Sequence, residues 1–291
     1  MIELDHAWLA ANPLPQPAAD TDKNERGRVL AAGGSRTVPG ALRLPGEAAL
    51  RAGAGKLQLA SVEAVVLALG MAMPEAAVFP LSANDAGELG EDAGAELCAY
   101  LERCDTLVLG PGMGAKCPAA AILSPVLAQP RDSLSLVLDA AAIAAASSFT
   151  KAIRGHAGRV ILTPHPGEMC KLMACDAARV ASDPAGLARE AAERFHATVA
   201  LKGPETWIAC PGEPLLRYPG GGPGLATGGS GDVLAGIAGG LLARGTSPRV
   251  AAAWAVWLHG EAGRRLAERI GPIGFLGREL LAEIPALMAG R

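Results

Sequence analysis

Several scarcities narrow the possibilities. Aromatic residues are few, four Trp, four Phe and two Tyr in 291 positions, so a core must be built from Ala, Leu and Val, which suit helices and buried strands. Neither charge dominates. With 26 basic and 29 acidic residues the net charge is −3, which points away from nucleic acid and anionic membrane surfaces as partners. The six cysteines (Cys98, Cys104, Cys117, Cys170, Cys175, Cys210) form no Cys-x-x-Cys pair and no zinc spacing. They read as small hydrophobes and free thiols of a reducing cytosol. Long apolar runs are missing too: stretches such as Val233–Ala243 carry Gly and fall short of the ~20 residues that a membrane span needs. No basic region followed by an apolar stretch opens the chain, so no signal peptide is expected and a cytoplasmic location is.

What is present excludes disorder for most of the length, since half the residues are hydrophobic and 19% are charged. The length suits one large α/β domain, or two at most, burying roughly three quarters of its unfolded surface. The 37 Gly and 22 Pro imply many tight turns. Residues 1–27 form a polar, proline-containing lead-in, read as an arm on a single domain covering 28–291. After it, short aliphatic runs alternate with Ala-rich stretches of helical length. Strands are predicted at 28–32, 56–60, 106–109, 136–139, 160–163 and 198–201. Helices are predicted at 41–52, 62–72, 91–103, 118–128, 167–174 and 184–196. Continuously apolar strands separated by helices mean a mostly parallel sheet covered on both faces. Near the C-terminus, 206–209 and 215–218 read as a hairpin. The Gly-rich stretch 220–231 then opens a run of helices starting near Val233. No repeat or linker divides the chain, and ligand chemistry is expected at the carboxyl ends of the strands.

The most informative segment is Gly220-Gly221-Gly222-Pro223-Gly224-Leu225-Ala226-Thr227-Gly228-Gly229-Ser230-Gly231-Asp232. Its glycines let successive backbone N–H groups turn onto one anion, and the following helix adds its positive end. Asp232 then lies at the helix start, either as a cap or first-turn acid or as a general base beside a phosphate. The helix end is expected to favour its ionised form. Ala52-Gly53-Ala54-Gly55-Lys56-Leu57 is no Walker loop, because Leu50 replaces the first Gly and Leu57 the hydroxyl residue. No Gly-x-Gly-x-x-Gly with an acidic partner follows the first strand, which argues against a dinucleotide-binding Rossmann site. Three more turns follow strands: Gly33-Gly34-Ser35 with Pro39-Gly40-Ala41, Gly110-Pro111-Gly112-Met113-Gly114, and Thr163-Pro164-His165-Pro166-Gly167-Glu168. Gly and Pro end strands ordinarily, but their joint placement suggests one crevice. His165 is held between two prolines, and Lys202-Gly203-Pro204-Glu205-Thr206 offers a cation and a hydroxyl for phosphate or ribose, or simply a charged hairpin turn.

In this order, these pieces resemble the ADP-dependent NAD(P)H-hydrate dehydratases, a branch of the ribokinase-like superfamily, from about residue 25 onward. Ala49-Leu50-Arg51-Ala52-Gly53-Ala54-Gly55, Leu201-Lys202-Gly203 and Ala226-Thr227-Gly228-Gly229-Ser230-Gly231-Asp232-Val233-Leu234 complete the likeness. The last is shared loosely with ribokinase-like kinases, whereas Pro-His-Pro-Gly-Glu with Pro-Gly-Ala is more particular to the dehydratases. The resemblance implies a three-layer αβα fold and a repair reaction on hydrated NADH and NADPH. ADP or ATP phosphorylates the ring hydroxyl and phosphate is then eliminated, because phosphate leaves where hydroxide does not. It implies Ala41, Gly114, His165 and Asp232 at the hydrated dinucleotide, Lys202, Gly203, Pro204, Glu205, Thr206 and Gly231 at the adenine nucleotide, and Asp232 as the catalytic carboxylate. Magnesium is expected between the phosphates, with no protein ligands assigned, and homotetramers are frequent in the family.

Two departures stand out. Ala141 replaces the second Asp of the usual Leu-Asp-Ala-Asp-Ala-Leu, while Asp139 survives, and Pro204-Glu205 replaces a smaller Ala-Gly pair, bringing a negative charge toward the phosphates. The lead-in is too short for the epimerase domain that many relatives carry, so any epimerase would be a separate chain. Two other readings stay open: a vitamin-precursor kinase that stops at the phosphorylated product, and a nucleotide-binding protein without turnover. The glycine-rich cradle cannot separate the first from a dehydratase, and binding without turnover would mark the second.

Overall fold

The protein is seen here as a computed structural model describing residues 1–290. Ten strands form one sheet: β1 (Ile2–Glu3), β2 (Arg28–Ala32), β3 (Lys56–Val62), β4 (Ala76–Leu81), β5 (Thr106–Leu109), β6 (Ser135–Leu138), β7 (Val160–Leu162), β8 (Thr198–Leu201), β9 (Thr206–Ala209) and β10 (Leu216–Tyr218). Their spatial order is β1-β10-β9-β8-β7-β6-β5-β2-β3-β4. All pairings are parallel except β8–β9 and β9–β10, the predicted hairpin. β5 and β6 place Leu107, Val108, Leu109, Leu136, Val137 and Leu138 wholly out of solvent, as expected of strands covered on both faces.

Among the described residues thirteen α-helices accompany the sheet: α1 (His6–Ala11), α2 (Arg43–Arg51), α3 (Glu63–Ala72), α4 (Ala93–Leu101), α5 (Ala119–Leu127), α6 (Ala141–Ala146), α7 (Thr150–Gly155), α8 (Pro166–Met173), α9 (Ala177–Ser182), α10 (Pro184–Phe195), α11 (Ser230–Ala243), α12 (Pro248–Arg269) and α13 (Leu280–Met288). One layer runs through α2, α11, α12 and α13, and the other through α4, α5, α6 and α8.

Two strands were not expected from sequence. β4 contains Pro80, which interrupts the run; at the sheet edge its missing N–H costs no ladder bond. β1 lies in the lead-in and pairs with β10 at the opposite edge. The lead-in packs closely on the rest: Trp8, Leu9 and Leu14 are buried, Trp254 Nε1 donates to the Asn12 carbonyl at 2.8 Å, and Arg244 Nη2 to the Pro15 carbonyl at 2.6 Å. The predicted strand 136–139 ends one residue earlier, so Asp139 opens a turn. The last helix run begins at Ser230 rather than Val233. α6 was missed because a run of alanines carries no apolar period. All six cysteines are free thiols, of which only Cys104 is fully buried. No described helix is long and apolar enough to cross a membrane.

Order reverses between β2 and β5, where successive connections leave in opposite directions, and such a switch opens a crevice at the carboxyl ends. α11 lies beneath that crevice and packs on α2 through glycine. A Cβ on Gly240 would fall 2.4 Å from the Ala49 carbonyl oxygen, and one on Gly236 2.3 Å from that of Pro45. Ala normally gains about 1 kcal/mol over Gly inside a helix. Here overpacking against backbone outweighs that gain, so Gly240→Ala is expected to lower stability by about 1–2 kcal/mol net. Chemical denaturation checks this, and a stabilised variant would show that the α2–α11 contact can relax.

Candidate active site

The first polar group of the site comes from β6. Asp139 follows the strand directly, with its side chain buried. The next residue, Ala140, is held at φ 48°, a conformation costing roughly 1–3 kcal/mol for a residue with a side chain. Beneath it, Gly110 fits because a Cβ there would lie 1.9 Å from the Asp139 carbonyl oxygen, and its φ of 123° suits Gly alone. Asp139 Oδ1 accepts hydrogen bonds from Thr163 Oγ1 at 2.7 Å and from Lys202 Nζ at 2.9 Å. Thr163 follows β7 and Lys202 follows β8, so three neighbouring strands deliver one ion pair, between a buried carboxylate and a largely buried ammonium.

Around this ammonium gather two further carboxylates. Glu168 Oε2 lies 3.9 Å from Lys202 Nζ and accepts the His165 N–H at 2.8 Å. His165 in turn caps α8, its Nδ1 accepting from Gly167 N at 3.0 Å, and Pro166 is the first helical residue, where a missing N–H is harmless. Asp232 lies in the first turn of α11. Burial alone would lower the Lys202 pKa, but Asp139 and Glu168 outweigh it and hold the ammonium above the ordinary lysine range. Glu168 is raised, first by burial, with Asp139 adding and Lys202 opposing. Asp232 is pushed up to about 7, first by burial and then by Asp139, against Lys202. The expectation that the helix end keeps Asp232 ionised is thereby corrected: loss of water outweighs the helix dipole. Nor does Asp232 cap the helix. Gly229 is the N-cap residue, at φ 84°, with no side-chain cap bond.

Beside this cluster opens a cavity of about 830 Å³, lined by His165, Lys202, Gly203, Pro204, Thr206, the loop Gly220–Pro223, Ser230, Gly231, Tyr218 and His259 among others. A Cβ on Gly231 would lie 3.4 Å from Lys202 Nζ and 3.9 Å from Asp139 Oδ2, so loop and cluster share a wall. Five of the six residues expected at the nucleotide line this cavity. Glu205 does not: its carboxylate pairs with Arg217 of β10, with Nε at 3.1 Å and a closer Nη2 contact. That partner answers the charge which the sequence placed near phosphates, and holds Glu205 below the usual carboxylate range.

Ala41 and Gly114 lie at the switch point itself, on the turns after β2 and β5 that flank it. A Cβ on Gly112 would come 2.5 Å from Ala41 Cβ, and one on Gly114 2.4 Å from Glu88 Oε1. The first turn of α2 reaches the glycine loop through Leu44, whose Cδ1 would be 2.3 Å from a Cβ on Gly229. Ala141 opens α6 and does not line the cavity. Sequence reasoning assigned no role to Thr163, Ser230, Tyr218 or His259. Thr163 and Ser230 stood inside quoted motifs, and the other two carry no local signal. Among the described residues no group of three or more His, Cys, Asp or Glu is arranged as metal ligands.

A mostly parallel sheet, a glycine-rich loop entering a helix and a lysine–carboxylate cluster at the strand ends define a ribokinase-like α/β protein. A ribokinase-like superfamily protein of Enterococcus faecalis V583 superposes with a TM-score of 0.79 at 30% identity, over 95% of this chain and 92% of that one. The chain belongs to the NAD(P)H-hydrate dehydratase family, whose profile matches residues 29–286. It is 45% identical to the ADP-dependent (S)-NAD(P)H-hydrate dehydratase of Xanthomonas campestris pv. campestris, over 97% of this chain and 94% of that relative. The Bacillus subtilis ADP/ATP-dependent NAD(P)H-hydrate dehydratase, co-crystallised with ATP and Mg2+, has a TM-score of 0.80 at 25% identity and covers 99% of this chain and 98% of its own.

Proposed function

We propose that this crevice catalyses the ADP-dependent dehydration of (S)-hydrated NADH and NADPH, with Asp232 as general base. One observation carries the reading: Asp232 presents a carboxylate with a pKa of about 7 beside the loop and the Lys202 ammonium. A base poised near the working pH both removes a proton and releases it again. Asp232 takes the proton of the ring hydroxyl as that oxygen attacks the terminal phosphorus of ADP. The P–O bond to AMP breaks, and AMP leaves. Phosphate then departs from the ring with a proton from the adjacent carbon, restoring the double bond of the reduced nicotinamide. Lys202, Gly203, Pro204, Thr206 and Gly231 hold the nucleotide, with Glu205 supporting them through Arg217. Ala41, Gly114 and His165 hold the hydrated dinucleotide.

Magnesium binds one or two carboxylates together with phosphates and keeps several waters. Glu168, the carboxylate of the cluster that takes no part in the proton transfer, would suit that sparse role, and the ion would neutralise phosphate charge. Cytoplasmic residence and assembly as a homo-oligomer, a tetramer by family likeness, complete the reading. Incubation of hydrated NADH with the protein and ADP is expected to restore the reduced-nicotinamide absorbance, with AMP and phosphate formed in equal amounts. Accumulation of a phosphorylated dinucleotide would instead favour a kinase.

Gly231→Val tests the nucleotide wall. Its branched side chain would start 3.4 Å from Lys202 Nζ, filling space that a phosphate must enter. ADP affinity measured by calorimetry is expected to fall at least tenfold, about 1.4 kcal/mol, while the fold survives. Unchanged ADP binding would move the site elsewhere.

A further inference from the structure

α12 presents Val256, His259 and Gly260 to the nucleotide cavity. His259 Nε2 lies 2.8 Å from Ser230 Oγ. Ser230 is buried and is the first residue of α11, directly before Gly231. Its hydroxyl is not spent on capping, because the cap position belongs to Gly229 and no side chain caps this helix. Burial lowers the His259 pKa to about 4, so the imidazole is neutral at ordinary pH and carries one N–H. The same cavity is lined by the polar side chains of Lys202, Thr206, Tyr218 and Thr227 and by apolar ones such as Leu225, Leu234 and Val256. A serine hydroxyl held by a neutral imidazole, at the start of a 14-residue helix that no side chain caps, matches the needs of a phosphate oxygen.

We propose that Ser230 and His259 form a two-step hydrogen-bond relay that positions a phosphate of the nucleotide: His259 Nε2–H donates to Ser230 Oγ, and Ser230 Oγ–H donates to a phosphate oxygen. His259 is thus a positioning residue, acting through Ser230. The relay rests on the nucleotide-site reading and adds a contact to it. A hydroxyl on its own rotates freely, and the imidazole donor fixes its lone pair so that its proton turns to the ligand.

The test is ADP affinity, measured by calorimetry on the full chain. Ser230→Ala and His259→Ala are each expected to raise the ADP Kd by about 10- to 100-fold, the range for a hydrogen bond to a charged group. The double variant should be hardly weaker than either single one, because each break disables the same relay. His259→Gln, whose amide N–H can reach the same oxygen, should recover most of the affinity. Ser230→Ala removes one oxygen and keeps the assay readable if a His259 variant folds poorly. Wild-type ADP affinity in Ser230→Ala, or additive losses without recovery by Gln, would overturn the relay. A wild-type chain that binds no ADP would overturn the nucleotide site itself, and the relay with it.

Discussion

Asp232→Asn is expected to lower turnover of hydrated NADH by roughly 10²–10⁴-fold while the melting temperature stays level or rises slightly. The substitution keeps size and shape and removes only the proton acceptor. No capping bond is lost, since Gly229 occupies the cap position. Stability responds in the opposite direction to activity. The folded-state pKa of Asp232 is raised to about 7 from 3.8, so its favourable contribution to folding is complete below the unfolded value and is lost as pH rises through 7. Above that pH the native state carries a poorly solvated anion, which Asn does not. Turnover needs that anion, so the wild-type rate should fall as pH drops below about 7, and the variant should lack this limb. A near-native rate in Asp232→Asn at pH 8 would remove Asp232 from the chemistry.

The parts of this site that were legible in the sequence are those held by short segments. Thr163 to Glu168 and Gly229 to Asp232 carry their geometry locally, in a proline-started helix and a glycine run. The strands near them were legible because Leu107–Leu109 and Leu136–Leu138 are wholly apolar, as a doubly covered sheet demands. β4 was not, because Pro80 reads as a break until its place at the sheet edge is known. The electrostatics were the least legible. A lone Asp at a helix start suggests an ionised acid, and only the fold brings Asp139 and Glu168, from the segments after β6 and β7, into the same dry space. His259 is 29 residues from Ser230, and no spacing rule connects a mid-helix histidine to a preceding helix start. Glu205 was misleading for a related reason: its partner Arg217 lies across the hairpin, 12 residues on.

Lys202→Met is expected to produce the broadest loss. One ammonium, with its side chain 20% exposed, serves Asp139 at 2.9 Å and Glu168 at 3.9 Å and also lowers the Asp232 pKa. Met keeps most of the aliphatic stem, so packing changes little and the charge is what disappears. Asp139 then retains its Thr163 bond but faces Glu168 and Asp232 without a cation. Removing one partner of a fully buried pair costs about 3–5 kcal/mol. The crevice is partly open, so about 2 kcal/mol is the expected loss at pH 8. The carboxylates escape repulsion by binding protons, which raises the Asp232 pKa above about 7 and leaves less base at neutral pH. With the phosphate's cation also gone, turnover at pH 7 should fall by at least 10²-fold, and ADP affinity with it. The sign of the pH effect separates this account from simple misfolding. Groups with raised folded pKa values stabilise the native state as pH falls, so the melting temperature of Lys202→Met should move toward wild type between pH 8 and pH 6, while its acid limb of activity shifts to higher pH. A deficit in melting temperature that stays constant across that range would mean that Lys202 contributes packing rather than charge.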